Sequence, residues 1–437
     1  MNNNNEMAIY QIYPLGLCGA PERNDSRIEN RLNRISDWIP HIKQLGFNAV
    51  YFGPVFESGS HGYDTVDFAK IDCRLGTNDD FRVLCDQLHN AGIRVILDGV
   101  FNHVGRGFGP FRDVLVQREK SPYLNWFQIR LDENNCFDDR LSYHCWEGHP
   151  ELVQLNLKNP EVVSYLLERV REWIGAFGID GLRLDVAYML DPDFMRQLHS
   201  CVRALRPDFF LLGEMIHGDY RRLAAPGLLD SCTNYEFFKG LYSSFNDQNL
   251  FEIAYCWQRQ DGAGGLYNGI PLVNFADNHD VNRIASLLKK DRHLRLLYGL
   301  LFAKAGIPCV YYGSEWGVKG EKRNGSDVEL RPEIDQPVWN DLTDWIALLM
   351  RVRAAEPALR AGGYQQLFLT NRQFVFARDY DQHRILIAVN SDEQAAQVAL
   401  PADFGMAENL LTGERRWLGK DLSLEGYSIA YWKRLPG

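Results

Sequence analysis

Leu97-Asp98-Gly99-Val100-Phe101-Asn102-His103 and Gly181-Leu182-Arg183-Leu184-Asp185 are brief apolar runs that end abruptly in ionisable residues. Leu212-Gly213-Glu214 and Phe275-Ala276-Asp277-Asn278-His279-Asp280 repeat the pattern further along. A strand buried on both faces of a parallel sheet stays apolar until it leaves the sheet. Charge after such a run therefore marks the strand's C-terminal end, where barrel enzymes carry their chemistry. Three carboxylates on three such strands, Asp185, Glu214 and Asp280, can meet at one point.

Working outward, eight strand-like runs alternate with helical stretches: Ile9–Tyr13, Ala49–Phe52, Arg94–Asp98, Gly181–Asp185, Phe209–Glu214, Cys232–Tyr235, Leu272–Ala276 and Cys309–Gly313. Apolar residues at helical spacing predict helices over Arg31–Leu45, Phe81–Ala91, Val162–Phe177 and Pro192–Leu205, with Pro40 kinking or restarting the first. Eight βα units predict an α/β fold, a closed (β/α)8 TIM barrel. An open doubly wound sheet is the alternative, but no Gly-rich phosphate turn follows Ile9–Tyr13. The rhythm breaks at 104–155, a stretch with no clean helical pattern. It is rich in Gly, Asp, Asn and aromatics such as Phe108, Trp126, Phe127, Tyr143 and Trp146. It reads as a small domain inserted after the third strand, and loops of that length are usually functional. After about residue 358 short alternating strands follow: Gln366–Leu369, Phe374–Arg378, Ile385–Asn390, Gln397–Leu400 and Ser428–Trp432. They predict a C-terminal antiparallel β-sandwich. The expected division is barrel 1–103, insert 104–155, barrel 156–357 and β domain 358–437.

The chain has 437 residues, 46% of them apolar, enough for one large core and a smaller one. Its net charge of −10, without a Lys/Arg cluster, argues against a nucleic-acid footprint. No apolar stretch reaches membrane-spanning length. Met1–Glu6, with the low-complexity run Asn2–Asn5, lacks the basic and apolar regions of a secretory signal. Nine scattered cysteines without CxxC pairs read as reduced thiols, with Cys136 and Cys145 the one pair to consider in an oxidising compartment. A cytoplasmic location is expected.

Residues two apart on a strand face the same way, so Arg183 and Asp185 point together. An arginine beside a carboxylate keeps it ionised, which suits a nucleophile; a structural ion pair is the bland reading. Glu214 ends an apolar run, and desolvation there raises a carboxyl pKa, as a general acid requires. Asp280 could instead cap a helix starting near Asn282, and His279 could be a core histidine. Taken together, a nucleophilic carboxylate, a protonated one and a third suit retaining glycoside hydrolysis, in which two carboxyl groups stand about 5–5.5 Å apart. No Ser-His-Asp, P-loop or HExxH pattern competes.

The four segments, in order, resemble the conserved regions of the α-amylase family of glycoside hydrolases (family 13). His61-Gly62-Tyr63-Asp64 through Leu75-Gly76-Thr77, and Leu155-Asn156 before Asn159-Pro160-Glu161, resemble two further family segments. The resemblance spans roughly residues 8–330. It implies Asp185 as nucleophile, Glu214 as acid/base and Asp280 as the residue that binds sugar hydroxyls and distorts the ring. It also implies Arg183 orienting Asp185, His103 and His279 bonding the sugar, Tyr63 stacking on it and Asp98 in support. Val186-Ala187-Tyr188-Met189, the Ser58–His61 run and His217 are similar to the cyclomaltodextrinase and neopullulanase type, whose extra N-terminal β domain is not expected here.

The activity implied is hydrolysis of α-1,4 links in maltooligosaccharides or cyclodextrins. Glucosyl transfer, α-1,6 cleavage and a non-catalytic glucan-binding protein are the alternatives. The resemblance implies no cofactor for the chemistry. It leaves a structural calcium open, with Asn102 as a candidate ligand or, alternatively, a hydrogen-bonding support of the insert, and the loop Glu22-Arg23-Asn24-Asp25 offering a few oxygens. An α-glucan is the expected partner, without nucleic acid or membrane, and a homodimer is a candidate assembly.

Overall fold

A computed structural model describes residues 6–436; the Asn2–Asn5 run lies outside them. All eight expected strands form: β1 (Ile9–Ile12), β2 (Ala49–Phe52), β3 (Arg94–Gly99), β4 (Gly181–Leu184), β5 (Phe210–Gly213), β6 (Ser231–Cys232), β7 (Val273–Phe275) and β8 (Ile307–Tyr311). Each pairs in parallel with its sequence neighbour, and β1 pairs with β8. One parallel bridge, Thr233 to Val273, closes the ring between β6 and β7. The (β/α)8 barrel therefore holds, and the open sheet does not.

Side chains alternate across each strand. Ile9, Tyr51, Ile96, Leu212, Val273 and Cys309 fill one buried cluster inside the barrel, and the other strand face packs under the surrounding helices. Those helices carry the signals that start and stop them. In Pro160–Phe177, Asn159 accepts from the Glu161 backbone, Pro160 occupies the first turn, and Gly178 ends the helix at φ +65°. Pro40 does restart the first helix, splitting it into Asn33–Ser36 and Ile39–Leu45.

The insert differs from its reading in one respect: Gly109–Gln117 is an α-helix. It is nine residues long with only Phe111 and Val114 fully buried, too short for a periodic pattern to stand out. A three-stranded antiparallel sheet completes the insert, with His103–Gly105 beside His149–Gln154 and that strand beside Cys145–Trp146. The C-terminal region is antiparallel, as expected, in a six-stranded and a two-stranded sheet. Three of its strands, Gly405–Asn409, Arg415–Leu418 and Asp421–Leu424, had no sequence counterpart: each has only four or five residues and few buried apolar ones.

Trp173 locks the helix Pro160–Phe177 to the barrel. Its ring stacks on Phe56 at 4.2 Å between centroids, and its indole N–H donates to the Phe68 carbonyl at 2.8 Å. Trp173→Ala is expected to destabilise the fold by about 3–5 kcal/mol in urea unfolding. A loss below 1 kcal/mol would show that this contact does not anchor the helix.

Candidate active site

Register sets the site. Arg183 on β4 lies level with Asp98 on β3 and Leu212 on β5. Leu184 pairs with Gly213, so the next residues, Asp185 and Glu214, emerge side by side. The Asp185 backbone N–H donates to Gly99 O at 3.2 Å and that of Glu214 to Leu184 O at 2.9 Å, extending the ladder one step past the strand ends.

Arg183 joins three carboxylates. Its Nη1 donates to Asp98 Oδ1 and to Asp185 Oδ1, each at 2.8 Å, and its Nη2 lies 2.7 Å from Glu214 Oε1. All four side chains are buried. Asp98 also accepts from the hydroxyls of Tyr51 at 2.8 Å and Tyr63 at 3.0 Å, so it is saturated and acts as a fixed anchor for Arg183.

One cation among three anions leaves the site short of positive charge. Burial pushes the Asp185 carboxyl well up; Arg183 opposes this, while Glu214 and Asp98 add to it. Arg183 lowers the Asp185 carboxyl as expected, but the net direction is upward because removal from water outweighs the arginine. Burial likewise raises Glu214, against Arg183 and the Val186 backbone and with Asp280 adding. That backbone N–H donates to Glu214 Oε2 at 2.9 Å. Val186 does so from φ +40°, a strained conformation for a β-branched residue that costs about 1–3 kcal/mol.

Asp280 behaves differently. Burial alone would raise it, but His279 at 3.0 Å and Arg331 at 2.9 Å hold it well below the usual carboxylate range. It is not the helix cap: Asp277 takes that role, accepting from the Ile284 backbone at 2.8 Å. His279 is clamped between rings, with Tyr63 stacked at 5.6 Å and Tyr13 at 5.9 Å, and its Nδ1 faces Gln11 Nε2 at 2.9 Å.

His103 Nε2 stands 4.0 Å from Asp185 Oδ2, buried and without a hydrogen-bond partner. Burial pushes this imidazole down to about 3, so it is neutral near pH 7, with an unsatisfied nitrogen aimed at the cluster. The insert puts it there. Gly105 lies so close to Asp64 that a Cβ would meet the Asp64 carbonyl at 2.4 Å, which brings the Tyr63 loop against the His103 strand.

A hairpin of the insert reaches the barrel rim. Glu147 and Gly148 form its two-residue turn, both at positive φ, and Trp146 and His149 stack across it at 5.2 Å. Glu147 accepts from the Tyr188 hydroxyl at 3.2 Å. His217 is exposed at this rim, its ring 6.0 Å from that of Tyr188 between centroids.

Sequence reasoning missed Arg331, which lies in the irregular segment after β8, where no periodicity marks it. It also missed Tyr235, whose hydroxyl reaches Glu214 at 3.5 Å and accepts from Asn278 at 3.0 Å. The early loop's Pro21 and Glu22 carbonyls accept from the Arg74 guanidinium, which also binds Asp72. Asn102 Oδ1 faces the Gln154 amide at 3.5 Å, which ties the insert's return strand to β3's exit. All nine cysteines are free, Cys136 and Cys145 included.

A parallel barrel whose strand ends gather carboxylates, arginine and histidines under aromatic rings has the equipment of a barrel glycoside hydrolase. The comparisons agree. The Alpha-amylase family model (alpha amylase, catalytic domain) matches residues 11–344. A cyclomaltodextrinase of a Bacillus species is 34% identical over 415 residues, 88% of this chain and 72% of that protein. An intracellular maltogenic amylase of Bacillus subtilis is 31% identical over 393 residues, 84% of this chain and 63% of that protein. The ligand-free cyclic α-maltosyl-(1→6)-maltose hydrolase of Arthrobacter globiformis has a TM-score of 0.84 at 25% identity, covering 100% of both chains. The chain belongs to the α-amylase family and is a glycoside hydrolase acting on α-glucans.

Two outcomes test the electrostatics. Arg331→Gln removes a cation that holds Asp280 ionised, so the Asp280 pKa rises. The acid limb of kcat/KM on a soluble glucan is expected to move to higher pH; an unmoved limb means Arg331 does not govern Asp280. His103 is kept neutral in the fold but binds a proton in the unfolded chain below about pH 6.5. Its contribution is therefore full above that pH and is lost as pH falls toward about 3. His103→Gln is expected to flatten the stability loss between pH 7 and pH 5 by up to about 2 kcal/mol in urea unfolding.

Proposed function

We propose that the protein is a retaining hydrolase that cuts α-1,4-glucosidic bonds of maltooligosaccharides, cyclodextrins or similar short glucans. The observation that carries this is the Arg183 guanidinium holding Asp185 and Glu214 side by side, with a hydrogen bond of 2.8 Å to Asp185 and an ion-pair contact of 2.7 Å to Glu214. One guanidinium touching both carboxylates favours the short separation of the covalent route over the wider one that accommodates a water.

The buried pair shares one proton; with it on Glu214, and Asp185 ionised beside Arg183, Glu214 gives that proton to the glucosidic oxygen as the bond to the anomeric carbon breaks. Asp185 attacks that carbon and forms the glucosyl-enzyme. Glu214, now a carboxylate, takes a proton from water, whose oxygen displaces Asp185. Asp280 stays ionised and, with His279, grips the hydroxyls of the reacting glucose. His103 offers its unpartnered nitrogen to the same sugar, and the Tyr63 ring lies against it. Side chains alone carry these steps. The name of the Bacillus subtilis relative and the nine free thiols support a cytoplasmic setting.

A second reading is supported by the Arthrobacter relative, whose name specifies an α-(1→6) linked ring. The same intermediate serves α-1,6 cleavage or transfer to a sugar acceptor. Products from maltotriose, cyclodextrin, pullulan and panose, resolved by size and by anomeric form, separate these readings. Retained α-configuration is expected; inverted product would overturn the covalent route. Asp185→Asn is expected to fold and to lose about 10⁴-fold or more in kcat, on the scale seen when a member of a catalytic group is removed. Glu214→Gln is expected to spare aryl glucosides with good leaving groups far more than natural glucans, since these need no proton. Equal losses on both would remove Glu214 as the proton donor.

A further inference from the structure

At the other end of the barrel, where β7 and β8 begin, lies a polar cavity of about 100 Å³. Lys304, Asp261, Tyr267, Asn268 and Gly306 line it, and Arg360, in the segment leading to the C-terminal β domain, closes one side. That volume holds a few waters or one tetrahedral oxyanion.

The cavity adjoins an excess of buried positive charge. Lys304 Nζ pairs with Asp261 at 2.6 Å, and Arg378 shares that one carboxylate at 3.4 Å. Arg353, just behind the wall, donates to the carbonyls of Phe302, Lys304, Leu359 and Gly306, and no carboxylate pairs with it among the described residues. Arg360 reaches only the half-exposed Glu6, at 3.2 Å, and its Nε is buried without an acceptor. Arg378 Nη2 is likewise unpartnered. Four cations thus face two carboxylates, in a chain whose net charge is −10.

Uncompensated buried charge is costly, and the groups register it. Burial pushes Lys304 and Arg378 down, and it takes Arg353 down to about 9, with Arg378 and Arg360 adding to that effect. Unpaired guanidinium donors beside a lysine are the chemistry that recognises phosphoryl oxygens.

We propose that this cavity binds a phosphate oxyanion, either free inorganic phosphate or the phosphoryl group of a sugar phosphate, with Arg360 and Lys304 as its ligands. The bound anion neutralises the cluster and ties the barrel floor to the C-terminal β domain. It lies on the opposite barrel face from Asp185 and Glu214, so it acts on stability and leaves the chemistry untouched.

The test is titration of the whole protein with inorganic phosphate by calorimetry and by thermal unfolding, against potassium chloride at matched ionic strength. Saturable one-site binding and a rising Tm that chloride does not reproduce are expected. Glucose 1-phosphate and glucose 6-phosphate form parallel arms: tighter binding than phosphate identifies a sugar phosphate, and equal or weaker binding identifies free phosphate. Arg360→Gln is expected to weaken binding about tenfold with kcat on maltotriose unchanged. Arg360→Lys keeps the charge without the fork and serves if the first variant does not fold. No saturable binding to the unaltered protein, a Tm rise matched by chloride, or undiminished affinity in a folded Arg360 variant would overturn the proposal.

Discussion

The site depends on one buried guanidinium. Arg183 is the cation that lets Asp98, Asp185 and Glu214 share a water-poor barrel mouth, and its own position is set by strand register rather than by a loop. Taking it away would leave three carboxylates facing one another, and breaking a buried pair of this kind costs about 3–5 kcal/mol. Asp98, saturated by Arg183 and two tyrosines, works through Arg183: it fixes the arginine, and the arginine fixes Asp185 and Glu214. A second cation, Arg331, serves Asp280 alone. Arg331 and His279 hold Asp280 low, while burial raises the Asp185 and Glu214 carboxyls against Arg183.

Two strained backbone positions stand at the same place. Val186 and Glu147 both hold positive φ, a conformation that glycine or asparagine would occupy at less cost. Each uses it for a contact at the mouth, Val186 to Glu214 and Glu147 to Tyr188. Such strain persists where the surrounding structure over-determines it, as it does at functional sites.

The barrel was legible because its signal is repetition. Eight apolar runs recur at βα spacing and four of them end in charge, the pattern that buried parallel strands leave in a sequence. The core of the site was legible for the same reason: Asp98, Arg183, Asp185 and Glu214 sit on or just beyond strands whose register brings them together. What escaped was carried by irregular chain. Arg331 is placed by a loop after β8, and Tyr235 opens a helix whose apolar face attracts more notice than its one hydroxyl. His217 was named through its neighbour Glu214, yet the chain turns outward after Met215 and leaves it exposed. The direction of the Asp185 shift was also misread, because a sequence shows a neighbouring arginine but not how completely water is excluded.

The seam between β6 and β7 bears on how the molecule fails. Seven junctions of the ring are ladders, but this one is a single bridge at Thr233, and β6 is only two residues long. Thr233 also receives the backbone N–H of Met215, the residue after Glu214. Heat is expected to part the staves there first, so Glu214 loses its footing while most of the core remains packed and inactivation precedes melting.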